Sequence, residues 1–107
     1  MRDYSNIPVM DWNEDKAPER AQAQILHQEP VILQMPVDFD TSLNGEDFDC
    51  RIEEDRKILL ECDGSKVVQH LAAKNHLPGL DIIAEACFQS SSQVDIDTDK
   101  KRIIVHD

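Results

Sequence analysis

The 107 residues suit one domain around one hydrophobic core, and at 40% apolar and 31% charged residues the composition is neither membrane-like nor disordered throughout. The formal net charge of -11 lies beyond the ~2–8 usual for a small-domain surface. Such a field repels nucleic acid and anionic lipid, and 11 lysines and arginines are too few to grip phosphates, so direct nucleic-acid binding is excluded as a function class.

The opening Met-Arg-Asp-Tyr-Ser-Asn has no apolar h-region, and no apolar stretch exceeds three or four residues. An unprocessed, cytoplasmic protein without membrane spans is the expectation. Cys50, Cys62 and Cys87 form no C-x-x-C unit and cannot all pair, which fits reduced, mostly buried thiols.

Residues 1–16 carry scattered apolar groups (Tyr4, Ile7, Val9, Met10, Trp12) without a period. They read as a flexible or peripherally docked arm ahead of a single α+β domain over 17–107. Trp12 is either a flap packed on its own domain or an anchor for another protein. Ala17 to Gln28 reads as a helix, with Pro18 and Glu19 suited to its first turn and Pro30 limiting its end. Val31, Ile32, Leu33 and Met35, bracketed by Pro30 and Pro36, read as an edge strand.

A polar stretch from Asp40 to Asp47, with a turn signal at Asn44-Gly45, precedes a hairpin. Phe48–Glu54 and Ile58–Gly64 pair across Asp55-Arg56-Lys57, setting Cys50 against Cys62, Ile52 against Leu60, Glu54 against Ile58 and Arg51 against Glu61. Ser65 caps a helix from Lys66 to about His76, which Pro78-Gly79 ends, and Asp81 caps a second, shorter one through Cys87. In the last hairpin Val94 and Ile96 face Val105 and Ile103 across Asp99-Lys100, with Asp97 facing Arg102. The expected fold is a small antiparallel sheet of two β-hairpins plus the edge strand, with two or three helices on one face.

Catalytic and metal constellations fare poorly. Asp40, Ser42, Asn44 and Gly45 match the start of a calcium loop, but Arg51 stands where a bidentate glutamate belongs. Asp95, Asp97 and Asp99 alternate along a strand and read as a solvated face. Cys50, Cys62, His70, His76 and Cys87 lack zinc-site spacing; His70 and His76 lie about 240° apart around a helix. Three glycines allow no phosphate-cradling loop, and no cysteine or serine has an evident oriented base, so no enzyme and no cofactor is expected.

Charge is distributed unevenly. Residues 1–30, 31–64 and 65–107 carry -3, -7 and -1, and from Asp38 to Asp55 eight acids face Arg51 alone. The leading expectation is a non-catalytic inhibitor or immunity-type protein that engages a basic protein surface through Asp38, Asp40, Glu46, Asp47, Asp49, Glu53, Glu54 and Asp55. Rows of carboxylates on strands loosely resemble backbone phosphates, so a nucleic-acid mimic that occupies a nucleic-acid-binding protein is the sharpest form of this idea. The alternative is an adaptor or assembly chaperone that uses the apolar arm and the Val31–Met35 edge; a weaker one is a divalent-metal module.

Overall fold

The computed structural model describes residues 6–42, 50–54, 57–60 and 64–106, with 50–54 and 57–60 described through their backbone alone. The chain is α+β, with three helices and a mixed sheet among the described residues. In order these are β1 (Val9–Asp11), α1 (Ala17–Leu26), β2 (Val31–Gln34), β3 (Cys50–Glu54), β4 (Lys57–Leu60), α2 (Gly64–Asn75), α3 (Gly79–Ser90), β5 (Gln93–Asp97) and β6 (Arg102–His106). The strand order is β1-β2-β6-β5-β4-β3.

β1 and β2 run parallel with α1 between them, and every other neighbouring pair is antiparallel. Two expectations change here. The sheet is mixed rather than antiparallel, and β2 is not an edge strand, because β1 and β6 occupy both its sides. Pro30 and Pro36 lie just outside Val31–Gln34, so no residue within β2 lacks a backbone donor. Met10, buried beside Leu33, and the half-buried Trp12 belong to the core packing.

Each helix buries the stripe its sequence offers. On α1 it is Ala17, Ala21 and Ile25, four residues apart along one face. On α2 it is Val67, Val68, Leu71 and Ala72. α3 packs against both α1 and α2, and accordingly buries a broader set from Leu80 to Cys87. These residues join Val31, Leu33, Val94, Ile96, Ile103 and Val105 in a single core cluster; Ile32 and Ile104, also buried, lie outside it.

Helix boundaries follow packing more than capping residues. α2 starts at Gly64, two residues early, and Ser65 is a buried residue of its first turn rather than its cap. Gly64 sits so close to β5 that an added Cβ would lie 2.8 Å from Val94 Cγ2. Asp81 likewise lies in the first turn of α3, whose N-cap is Pro78. All three helices end alike: Glu29, Leu77 and Ser92 donate back to the carbonyls of Gln24, Ala72 and Cys87, while Gln28, His76 and Ser91 take positive φ.

The β5–β6 register is Val94–Val105, Ile96–Ile103 and Asp97–Arg102, the pairing read from the sequence. In the β3–β4 hairpin the register is tighter than expected: Cys50 pairs with Leu60, Arg51 with Leu59, Ile52 with Ile58 and Glu54 with Lys57. The slip spans two residues, so the side-chain alternation is conserved up to an irregularity between Ile52 and Glu54. Phe48, Cys62, Glu61 and the Asn44-Gly45 turn lie outside the described residues.

Candidate acidic interaction surface

Of the eight acids singled out, Asp38 and Asp40 are exposed on the segment that leaves β2. Glu53 and Glu54 belong to β3, while Glu46, Asp47, Asp49 and Asp55 lie outside the described residues. The structure thus places two of the acids on the outermost strand and two on a loop anchored to α2.

That anchor is well defined. The Asn75 side chain accepts from the backbone N–H of Asp40 at 2.7 Å and donates to its carbonyl at 2.9 Å. Phe39 and Thr41 are buried on either side of Asp40, so the exposed carboxylate is borne on a pinned backbone. Its Oδ1 accepts from Ser42 N at 2.9 Å and Ser42 Oγ at 2.7 Å, and Lys74 Nζ stands 3.9 Å from Oδ2. The Ser42 backbone bond first, then its hydroxyl, then the positive charges of Lys74 and Lys101 hold the Asp40 pKa below its ordinary value near 3.8. Asp40 therefore presents a fixed negative charge at neutral pH. Lys74 lies too far along the chain from Asp40 for any local sequence signal to pair them.

Asp95 and Asp97 depart from expectation. Alternation does place them on the face opposite Val94 and Ile96, but they are only 6% and 7% exposed rather than solvated. Asp97 Oδ1 accepts from the backbone N–H groups of Asp99 and Lys100, which shapes the β5–β6 turn. Asp95 lies 3.2 Å from His106 Nε2, its diagonal neighbour across the β5–β6 ladder. Both carboxylates are engaged within the fold, and only Asp99 of the three is exposed.

Register draws three rows across all six strands. One is apolar throughout: Met10, Leu33, Ile103, Ile96, Ile58, Ile52. The next runs Val9, Ile32, Ile104, Asp95, Leu59, Arg51. The third is polar and, from β6 outward, alternates in sign: Asp11, Gln34, Arg102, Asp97, Lys57, Glu54. The irregularity after Ile52 is what brings Glu54, rather than Glu53, into the charged row.

Among the described residues no three histidine, cysteine or acidic side chains come together to hold a metal ion, and no helix is long and apolar enough to cross a membrane. Cys87 is buried within the core. Comparison with protein-family models, with known proteins and with solved structures finds no match to this chain.

Proposed function

We propose that the chain is a non-catalytic acidic binding protein, of inhibitor or immunity type, that engages a basic surface of a partner protein. The observation that carries this reading is the concentration of acid between residues 38 and 55, eight carboxylates against one arginine. Support comes from Asp40, whose backbone is pinned to Asn75 and whose charge Ser42 and Lys74 stabilise. Preorganised charge of this kind raises encounter rates with oppositely charged surfaces and discriminates against acidic ones. A nucleic-acid-binding protein is the partner class with the most fitting surface, and the acids then stand in for phosphates.

The adaptor alternative loses one of its two supports, since β2 has no open edge to offer a partner's strand. Removal of residues 1–14 does not separate the two readings, because it takes β1, Met10 and Trp12 out of the packing. Charge reversal does separate them. Asp38→Lys, Asp40→Lys, Glu46→Lys and Asp47→Lys together should abolish capture of basic partners while the circular dichroism spectrum stays native. Unchanged affinity in the reversed protein would end this reading.

A further inference from the structure

We infer that the outer edge of β3 is a strand-addition site for an extended basic segment of a partner protein. The inference rests on the acidic-binding reading and names its mode: main-chain pairing at the sheet edge, steered by charge.

Topology supplies the edge. β3 ends the strand order, and among the described residues only β4 pairs with it. Its five residues, Cys50–Glu54, span about 17 Å at ~3.4 Å each, enough for two or three outward main-chain bonds. Such an edge is a template for another strand unless something blocks it. The opposite edge, β1, is three residues long, a much poorer template.

Charge and register say what fits there. Each copy of the chain carries a formal net charge of -11, so a second copy brought to this edge meets overall repulsion. A lysine- or arginine-bearing strand meets attraction instead. The two rows that end on β3 are more specific still. The sign-alternating row Arg102, Asp97, Lys57, Glu54 is continued by a basic residue opposite Glu54. The apolar row that ends at Ile52 is continued by an aliphatic residue opposite it. The occupant is therefore an extended segment that mixes basic and aliphatic residues and extends a sheet whose core face is already built.

The test uses the full-length isotope-labelled protein and a short peptide alternating lysine and valine, with a proline-interrupted peptide of equal charge as control. Strand addition predicts that alternate backbone amides of residues 50–54 gain protection from exchange with the first peptide and not with the control. It also predicts that Glu54→Lys weakens binding about fivefold or more, with Glu54→Gln intermediate, while thermal melts confirm that both variants fold. Equal binding of both peptides, without protection of these amides, overturns strand addition and leaves the acidic-surface reading standing. No binding of the alternating peptide overturns it as well; the acidic-surface reading is then judged on the charge-reversed capture alone. A doubled sedimentation mass with these amides protected in the absence of peptide assigns the edge to a second copy and also overturns it.

Discussion

Gly64 is the point where helix α2 meets the sheet most tightly, and Gly64→Ala measures that contact. The added Cβ would lie 2.8 Å from Val94 Cγ2, 3.2 Å from the Ser92 carbonyl oxygen and 3.3 Å from Val94 Cβ. Val94 is fully buried on an interior strand and stiff at χ1, and the Ser92 carbonyl is backbone, so neither yields cheaply. Overpacking of this kind costs about 1–3 kcal/mol, against which a Gly to Ala change in a helix returns at most about 1 kcal/mol. The expected net loss is about 1–2 kcal/mol, or roughly 5–15 °C in Tm for a domain of this size. Val94→Ala removes the closest atom and itself costs about 1.5–3 kcal/mol in lost burial and a residual cavity. Because each change relieves the other, the double variant should be more stable than the sum of the singles implies, by about 1 kcal/mol or more. Urea and thermal unfolding of the four proteins provides the cycle. A Gly64→Ala protein within about 0.5 kcal/mol of wild type, or strict additivity in the cycle, would refute the close approach of α2 to β5.

Other outcomes follow from the same structure. Gln28→Gly and His76→Gly, at φ 61° and 54°, should each raise stability by up to about 1 kcal/mol, since glycine removes the left-handed penalty at these helix ends; a fall in the urea midpoint contradicts the assignment. His106→Ala removes the partner 3.2 Å from the buried Asp95 carboxylate and should cost about 1.5–3 kcal/mol in urea unfolding, so an unchanged midpoint makes that contact energetically idle. The Asp40 carboxyl should titrate below 3.8 by carbon-detected NMR, and Ser42→Ala should move it upward. Because its folded pKa is depressed, its contribution to stability is present above the unfolded value near 3.8 and is lost as pH falls through the folded one. Asp40→Asn should therefore lessen the loss of stability over that acidic interval; an unaltered acid limb counts against the Ser42 cradle.

Legibility varied with how local the determining physics is. The β5–β6 register follows from period-two alternation closed by a short turn, and both signals lie within Val94 to Val105. The β3–β4 alternation was equally legible, but its register was not, because several turn lengths preserve the same faces. β1 has no legible sequence signal, since three residues carry no period and its pairing with β2 is brought about by α1 folding back between them. Pro30 and Pro36 suggested an edge because proline is excluded from ladders, yet both fall outside the strand they bracket. Asp95 and Asp97 were assigned to the correct face but the wrong environment, since alternation reports direction and not cover. For the acidic surface, the density of charge was plain in the sequence. The anchoring of Asp40 by Asn75 and Lys74 was not, since those partners lie more than thirty positions away.

Charge-steered binding is decided by recovering bound proteins from nuclease-treated lysate, with wild type and the four-residue charge reversal side by side at low and high salt. Exposed charge is screened within about 10 Å at 0.1 M salt, so the wild type alone should capture basic, nucleic-acid-handling proteins, with recovery fading as salt rises. Capture of the same proteins by both chains, or undiminished at high salt, would contradict it.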